Sequence, residues 1–380
     1  AMILLVVPSP CALVIPPPAS TLPALANAAR HGILFKGAAH LEDIGVARVV
    51  AFDKTGTLTV GRPRMTDLRP AAGVDPDELL RLTAAVERLS EHPLGAAIVE
   101  AAEERRLPLP EAHEGASIIG RGIEAVVDGN LILAGNEALF LDRGFTVPEA
   151  LVDEANSLRD DGKSTMFVGA QRDGAVEFLG VLGVADTVRP VAREVIEQLK
   201  TLGIEKTIIL TGDNERAARA IARQTGVDEF RSQLMPQEKL NIIEELKREY
   251  GTVIMVGDGV NDAPALATAS IGIAMGAAGT DVALETADVV LMADDLTRLP
   301  YPLELSRRTR RIIRQNLTFS LGVIVVLVIG TLFGLTTLPI GVVGHEGSTI
   351  VVVSNGLRLL GGGGEKRQPA PVGALQPAGD

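Results

Sequence analysis

Apolar positions in this chain follow two different patterns. Three continuous apolar stretches, Ala1 to about Ala19, Leu317–Leu335 and Leu338–Leu360, each approach the length of a membrane-spanning helix. The second stretch contains no charged residue, which would be unusual for a buried helix of a soluble protein. We therefore expect three transmembrane helices.

Between these stretches, short apolar strands alternate with helical segments, as in a doubly wound α/β domain. The predicted strands and helices are the strands 47–52, 206–210 and 252–256 and the helices 188–202, 215–225 and 236–250. Each strand runs into a polar, glycine-containing loop. Because the carboxyl ends of neighbouring parallel strands meet at one edge of a sheet, we expect the three loops to form a single site.

The stretch from about Gly61 to Ala175 interrupts this alternation. It contains a helix pair within Pro76–Glu104 and short strands punctuated by glycine, within Ile118–Ala134 and Thr165–Val168. We interpret it as an inserted α+β domain. The predicted boundaries are a broken transmembrane helix at 1–34, the doubly wound α/β domain at 35–62 and 176–296, the inserted α+β domain at 63–175, a basic linker with two transmembrane helices at 297–360, and a disordered Gly- and Pro-rich tail at 361–380.

The first apolar stretch is not a typical signal peptide. It lacks a charged start and contains Pro8, Pro10 and the run Pro16–Pro18, so it resembles a transmembrane helix that is broken near its middle. It also begins abruptly in apolar sequence, and we expect the chain to lack natural upstream residues.

Charge and cysteine content narrow the classes of function. The net charge of −12, with 3% aromatic residues, argues against a nucleic-acid partner. The single cysteine, Cys11, excludes an internal disulfide framework and a Cys-x-x-Cys metal site. Basic residues flank the last two apolar stretches: arginines 307, 308, 310, 311 and 314 come before them, and Arg358, Lys366 and Arg367 lie at or beyond their end. By the positive-inside rule, the large polar region and the C-terminus face the cytoplasm, and we expect a multi-pass protein of the plasma membrane.

Asp53 is the strongest candidate for chemistry. It follows an apolar strand and begins the sequence Asp53-Lys54-Thr55-Gly56-Thr57, so its carboxylate could attack a phosphoryl group. Soluble phosphatases of the haloacid dehalogenase type usually carry a second Asp where this chain has Thr55. Without that second acid, we expect a longer-lived aspartyl-phosphate.

Further candidates lie in the other loops. Asp258 and Asp262 flank a glycine turn and suit a Mg²⁺ site shared with Asp53 and a phosphoryl oxygen, although an Asp-Gly turn followed by a helix cap is the plainer interpretation. Lys239 could neutralise charge on the phosphoryl group, although most lysines in such a position are simply exposed. Thr211 and the Gly212 amide could hold the phosphoryl oxygens.

These motifs resemble those of the P-type ATPases. The resemblance covers practically all of this chain from Ala1 to Leu360. The matching segments are Asp53–Thr57, Thr211-Gly212-Asp213 and Gly257–Pro264, the last including Asn261 and Asp262. The resemblance implies a haloacid dehalogenase-like (Rossmann-like) phosphorylation domain in which Asp53 is phosphorylated by ATP. It also implies Mg²⁺ held by Asp53, Asp258 and the Thr55 carbonyl.

The segment Ser90–Leu94 resembles the His-Pro motif of the heavy-metal branch, type IB. The resemblance implies that ATP binds the inserted domain through Glu87, His92, Gly120 and Gly122. Taken alone, Gly-x-Gly is a weak signal, and a histidine such as His92 is more often a surface residue.

Ionisable residues in the apolar stretches suggest a transported metal. His345 and Glu346 stand inside the third stretch, and Cys11 stands where Pro8-Ser9-Pro10 breaks the first. Structural roles are the alternatives: the histidine and the glutamate could serve only helix packing, and the cysteine could be a small apolar residue of the core. Mixed S, N and O ligands suit Co²⁺, Zn²⁺, Fe²⁺ or Ni²⁺ better than Cu⁺.

The Ser-Pro-Cys and His-Glu-Gly-Ser-Thr segments, which add Ser9 and Thr349 to the candidate ligands, resemble the cobalt-type subgroup. That resemblance favours Co²⁺, with Zn²⁺, Fe²⁺ and Ni²⁺ as rivals.

The chain departs from the family in one important respect. No Thr-Gly-Glu occurs, so we expect the actuator domain and the earlier helices to be missing and to be the covalent partner in the full protein, of which this chain would be the C-terminal portion. Two alternatives remain open: a membrane-tethered haloacid dehalogenase-type phosphatase, and a fragment that binds metal or nucleotide without catalysis.

Overall fold

The computed structural model describes residues 14–90, 92–118, 120–172, 174–259, 262–276 and 285–361. The described residues form two compact units. The helical unit holds the chain up to Val46, Asp288–Ala293 and the chain from Arg298 onward, whereas the sheet unit holds 47–287 and 294–297. The division thus places residues 35–46 with the helices, where the sequence analysis assigned them to the phosphorylation domain.

In chain order, the strands are β1 Ile33–Phe35, β2 Val49–Asp53, β3 Thr59–Pro70, β4 Ala112–Ile118, β5 Gly122–Val127, β6 Asn130–Gly135, β7 Ser164–Arg172, β8 Ala175–Val188, β9 Lys206–Leu210, β10 Glu229–Arg231, β11 Val253–Gly257, β12 Ile271–Met275 and β13 Val289–Leu291. The α-helices are α1 Pro16–Arg30, α2 Ala38–Asp43, α3 Pro76–Glu87, α4 Pro93–Glu104, α5 Glu137–Asp142, α6 Glu149–Asp160, α7 Ala192–Thr201, α8 Glu215–Thr225, α9 Pro236–Tyr250, α10 Ala263–Thr268, α11 Pro300–Leu332 and α12 Leu338–Leu357.

Parallel strands form the centre of the sheet unit, in the order β12-β11-β2-β9-β10. Strand β2 is buried along its whole length, as expected for a β-branched and apolar run in a parallel sheet that is covered on both faces. Its last residue, Asp53, lies beside Leu210 of β9, and Phe52 lies beside Val256 of β11. The prediction that the three strands are neighbours is therefore confirmed.

The inserted region is an antiparallel sheet in the order β3-β8-β7-β6-β5-β4. One hydrophobic cluster on this sheet includes residues of α3 and α4, and another includes residues of α5 and α6. Strands β3 and β8 carry the chain into and out of the insertion and pair with each other from Thr59–Val188 to Pro70–Gly180. The antiparallel sheet therefore begins and ends beyond the predicted limits of 63 and 175.

Helices α1, α11 and α12 pack against one another in the helical unit, where β1 also pairs antiparallel with β13. Among the described residues, one helix is long and apolar enough to cross a membrane, over Leu296–Leu332. Helix α12 forms at the third predicted span, where polar residues and glycines interrupt the apolar sequence. The first span lies largely outside the described residues, as does the predicted disordered tail after Gly361.

A chain of buried polar groups joins these three helices. Asn316 of α11 donates to Ser20 Oγ of α1 at 3.3 Å and to the Val352 carbonyl of α12 at 3.2 Å, and it accepts from Asn355 Nδ2 at 2.8 Å. Asn316 is 2% exposed. An amide so placed fixes the rotation of each helix, because any other arrangement would leave buried polar atoms unpaired.

Candidate functional site

Asp53 emerges from the carboxyl end of β2 and is 7% exposed. The chain then turns sharply through Lys54–Leu58, with Gly56 at φ 73°. Asp53 Oδ2 accepts a hydrogen bond from the Thr55 amide at 2.9 Å. Glycine serves the turn here because a side chain is strained at such a φ.

Lys239, in the first turn of α9, lies between two carboxylates. Its Nζ donates to Asp53 Oδ1 and to Asp262 Oδ1, each at 2.8 Å. Burial, together with the negative charge of the nearby Asp262, raises the pKa of Asp53 to about 6 against the opposing charge and hydrogen bond of Lys239. Burial lowers the pKa of Lys239, but the attraction of both carboxylates outweighs that effect and leaves its pKa raised.

The second predicted loop adjoins this centre. Thr211 Oγ1 donates to Asp213 Oδ2 at 3.1 Å, and the Asp213 amide donates to Thr211 Oγ1 at the same distance. Lys54 Nζ lies 2.5 Å from Asp213 Oδ2 and so ties the loop to the residue after Asp53. A Cβ at Gly212 would approach the Leu234 carbonyl at 3.3 Å. The structure thus brings Thr211, Gly212 and Asp213 to the edge of the sheet where Asp53 lies.

The third loop lies close to the Asp53 turn. Asp258 Oδ2 is 3.7 Å from where a Cβ of Gly56 would stand. Asp262 Oδ2 and Thr57 Oγ1 are buried and have no hydrogen-bond partner in the part of the chain that the structure describes. Buried polar atoms are normally paired, so these two fit a centre built to receive a cation and phosphoryl oxygens.

Among the residues described, no group of three His, Cys, Asp or Glu side chains could hold a metal by itself. Mg²⁺ usually takes one or two carboxylates and completes its shell with water and substrate phosphate. Asp53, Asp258 and the Thr55 carbonyl remain the predicted Mg²⁺ ligands. The predicted site residue Asn261 lies outside the described residues.

Sequence reasoning missed the group that holds the Asp53 turn in place. The Arg189 guanidinium donates to the carbonyls of Gly56 at 2.9 Å and Thr59 at 3.1 Å and to Asp294 Oδ1 at 2.6 Å. Asp186 accepts from Thr59 Oγ1 at 2.5 Å and from the Gly61 amide at 2.9 Å. The available signal was a polar Asp and Arg at the end of the apolar run of β8.

A cavity of about 630 Å³ lies in the inserted region. All four predicted nucleotide-binding residues line it: Glu87, His92, Gly120 and Gly122. Glu87 is 3% exposed, and burial raises its pKa to about 7 against the opposing hydrogen bond with Ser90. His92 caps α4 through Nδ1, which accepts from the Leu94 amide at 3.2 Å.

Close contacts of three glycines and an asparagine shape this cavity, and two of these residues, Gly95 and Asn136, were not singled out from the sequence. A Cβ at Gly95 would overlap Glu87 Oε2, so the glycine makes room for the buried carboxyl. Gly122, at φ 150°, faces the backbone of Ala134 and Gly135 so closely that a Cβ would overlap it. Asn136 donates from Nδ2 to the Gly120 carbonyl at 2.8 Å. These contacts hold the Gly-x-Gly loop against the end of β6.

The predicted transport residues are only partly described. Ser9 and Cys11 lie outside the described residues, whereas His345 is buried in the helical unit and Glu346 is exposed. Consecutive residues on an α-helix point about 100° apart, so His345 and Glu346 do not share one face of α12. Thr349 is one turn along from His345 and donates to its carbonyl at 3.4 Å.

Comparisons with known proteins agree with this architecture. The haloacid dehalogenase-like hydrolase family matches residues 47–270. A probable cadmium-transporting ATPase of Listeria monocytogenes is 46% identical over 364 residues, which are 94% of this chain and 50% of that protein. A zinc-transporting ATPase of Bacillus subtilis (strain 168) is 44% identical over 360 residues, which are 95% of this chain and 55% of that protein.

The crystal structure of a zinc-transporting PIB-type ATPase in its E2.Pi state superposes with a TM-score of 0.86 at 44% identity. It is matched over 94% of this chain and 57% of its own. The chain thus spans about half the length of the curated relatives it matches. The chain belongs to the haloacid dehalogenase-like hydrolase family and, within it, to the heavy-metal P-type ATPases of type IB.

Proposed function

We propose that this chain is the part of a metal-exporting pump that binds ATP, accepts its γ-phosphoryl group on Asp53 and contributes ligands to the transported ion. One observation carries the proposal. Asp53 is a nearly buried carboxylate at the end of the central parallel strand, fixed by the Thr55 amide and by Lys239.

Phosphoryl transfer follows from this geometry. Asp53 Oδ attacks the γ-phosphorus of ATP, an O–P bond forms to the aspartate, the bond from the γ-phosphorus to the bridging oxygen breaks, and ADP leaves. Lys239 partly neutralises the negative charge that collects around Asp53 and Asp262. A bound Mg²⁺ would supply further charge neutralisation at the phosphoryl oxygens, held by Asp53, Asp258 and the Thr55 carbonyl.

The fate of the phosphoenzyme depends on the residue two places after Asp53. Thr55 cannot serve as a general acid or base, so hydrolysis of the acyl-phosphate within this chain is slow. We propose that dephosphorylation requires the remaining part of the full protein, which would contribute the actuator domain. This argues against the alternative of a free-standing phosphatase.

For the nucleotide, we assign the cavity beside Glu87, His92, Gly120 and Gly122. The Gly-x-Gly loop offers backbone groups at close range, and the glycines leave room for a planar base. Burial disfavours the charged form of Glu87 and so lowers the stability of the fold at neutral pH. Carboxyl groups buried at such a cost are often found in binding sites.

For the transported ion, we assign Cys11 and Ser9 of the first stretch and His345, Glu346 and Thr349 of α12. Thiolate, imidazole and carboxylate together suit a borderline divalent ion. The sequence motif favours Co²⁺, whereas relatives matched over 94% or more of this chain are named for cadmium and zinc. We therefore place Zn²⁺ and Cd²⁺ ahead of Co²⁺.

Labelled ATP tests the whole proposal. The chain in detergent is given Mg-ATP labelled at the γ-phosphate, with Zn²⁺, Cd²⁺, Co²⁺ or a chelator, and acid-stable, hydroxylamine-labile phosphoprotein is counted. Label should require both a divalent ion and Asp53: Asp53→Asn should abolish it, whereas Asp43→Asn, which changes an exposed aspartate of α2, should not.

The outcomes separate the alternatives. If simple phosphate esters are hydrolysed without ATP, the tethered phosphatase replaces the pump. Nucleotide binding without label under every condition makes the chain a non-catalytic fragment. Label that persists in His345→Ala with no change in its dependence on metal excludes His345 from the ion site.

A further inference from the structure

Four arginines of α11 form a surface that the proposed pump mechanism does not use. Arg307, Arg310, Arg311 and Arg314, which we call the arginine face, stand at spacings of three and four residues and therefore lie on one side of the helix. Together with Gly45 and Gln315 they line a cavity of about 490 Å³ in the helical unit. No carboxylate is among the described residues that line it.

The guanidinium groups of the arginine face have almost no partners among the described residues. The side chains of Arg310, Arg311 and Arg314 make no hydrogen bond or ion pair with any other described residue, and the Arg307 side chain makes only a 3.4 Å bond to the Gly45 carbonyl. By contrast, Arg308, on another side of the helix, donates to the carbonyls of Arg358 and Gly361 at 3.0 and 2.9 Å. Four guanidinium groups around one cavity repel each other unless an anion lies among them.

Gly45 forms the part of the cavity wall that lies against α11. A Cβ at Gly45 would overlap Ser306 Oγ and stand 3.5 Å from the Arg307 amide. Gly45 thus lets the chain lie against α11 at the first arginine without a side chain of its own. The protein as a whole carries a net charge of −12, so a general excess of basic residues does not explain this cluster of arginines.

The position of the arginine face along α11 indicates which anion it meets. Arg314 precedes by three residues the uncharged run that begins at Leu317, about 4.5 Å along the helix axis. Arg310 lies about 10 Å from the same point. The polar layer of a bilayer is roughly 5–8 Å thick on each side of the hydrocarbon core. Arg314 therefore stands near the depth of lipid phosphates, and the long side chains of Arg310 and Arg311 can reach the same layer.

We propose that the arginine face binds the phosphate of an anionic phospholipid headgroup on the cytoplasmic side of the membrane. A planar guanidinium group can donate two parallel hydrogen bonds to two oxygens of the same phosphate. The arginine face therefore favours a phosphate diester over a negative charge that is spread over a wider area. The site lies outside both the phosphorylation centre and the ion site. It would fix the depth of α11 in the membrane by contact with a particular class of lipid.

Native mass spectrometry of the purified chain tests this. The protein is equilibrated in micelles that contain equimolar phosphatidylglycerol and phosphatidylcholine with identical acyl chains, and retained lipids are counted. The wild-type chain should retain phosphatidylglycerol preferentially. The variant R310Q/R311Q/R314Q should lose this preference by about fivefold or more, because each arginine near an anionic lipid surface contributes a factor of about five.

A matched control changes three exposed arginines at similar spacing in the sheet unit. R216Q/R219Q/R223Q, in α8, removes the same charge and should leave the lipid preference unchanged. Helix content by circular dichroism and nucleotide affinity report whether each variant is folded. If the triple variant does not fold, Arg311→Gln alone should still lower the preference.

Three results would overturn the proposal: equal lipid retention by wild type and the α11 variant, an equal loss in the α8 variant, or complete displacement of phosphatidylglycerol by millimolar inorganic phosphate. The last would make this a site for free phosphate.

Discussion

At the scale of single residues, Asp53 and Glu87 stand out because their carboxyl groups are buried. Burial raises the pKa of Asp53 to about 6 and that of Glu87 to about 7. A raised pKa means that the folded protein holds the proton more tightly than the unfolded chain does. Stability from this source is therefore complete at low pH and is lost as the pH rises through the raised pKa.

Glu87→Gln should stabilise the chain at pH 8 and weaken ATP binding. The ordinary pKa of glutamate is 4.5, so the shift to about 7 corresponds to a gain of roughly 1–3 kcal/mol once the charge is removed. The gain should disappear below about pH 4.5. Thermal midpoints at both pH values and nucleotide titrations check this, with exposed Glu100→Gln of α4 as the control. A variant destabilised at pH 8 would contradict the burial argument.

Lys239→Met should slow phosphorylation and shift its pH dependence. Lys239 lowers the pKa of Asp53, so its removal should move the acid limb of the rate profile upward from about pH 6. Single-turnover phosphorylation between pH 5 and 8 measures both effects. Lys247→Met, on the same helix, should leave the profile unchanged, and an acid limb that stays in place would refute the coupling.

The sequence identified site residues that lie in local motifs, but it did not identify residues that act through contacts with distant parts of the chain. Asp53 and Lys239 lie in recognisable local sequences, and the structure brings them together. Arg189 and Asp186 act on a turn more than a hundred residues earlier in the chain, so no local pattern marks them. Gly95 was missed because its role is to leave space for Glu87.

Among the elements, helix ends were predicted well where their signals are local. Helix α8 begins after Asn214, whose side chain accepts from the Ala217 amide at 2.9 Å, and ends at Gly226 with φ 77°. Its predicted bounds and those of α9 agree with the structure. Strands β3 and β8 were not predicted, because β3 is largely exposed and its pairing partner lies far along the chain.

Gly122→Ala should damage the nucleotide cavity. Its φ of 150° and the close backbone of β6 leave no room for a Cβ, so we expect a loss of about 2–4 kcal/mol in stability and weaker ATP binding. Gly129→Ala, in a turn with nothing within 4 Å, should cost only the strain of its φ of 76°. Chemical denaturation and ATP titration of both variants measure the difference, and equal costs would argue against steric conflict.

At the scale of the whole molecule, the alternation of strands and helices predicted the parallel sheet and its insertion. It did not predict how far the insertion's own sheet extends, because that depends on β3 pairing with β8. Of the three predicted membrane spans, one coincides with a described helix that is long and apolar enough to cross a membrane. Sequence did not reveal the Asn316 network, because hydrogen bonds between helices depend on how the helices are rotated.

Asn316→Leu should destabilise the helical unit. It removes the bonds to Ser20, Val352 and Asn355 and leaves Asn355 Nδ2 without its acceptor, for a loss of about 1–3 kcal/mol. Unfolding in detergent followed by circular dichroism measures the change, with exposed Thr318→Val as the neighbouring control. No change in the unfolding midpoint would mean that the network does not hold the helices together.

The pairing of β3 with β8 also bears on how the chain folds. Strands β2 and β9 are neighbours in the parallel sheet, yet about 150 residues separate them along the chain. Once the insertion has folded, its two ends are joined at Thr59 and Val188, and only about 22 flexible residues remain between β2 and β9. Shortening the loop in this way lowers the entropy cost of closing it by about 2 kcal/mol. The folded insertion therefore brings β2 and β9 close together, and the parallel sheet should assemble fastest when the insertion forms first.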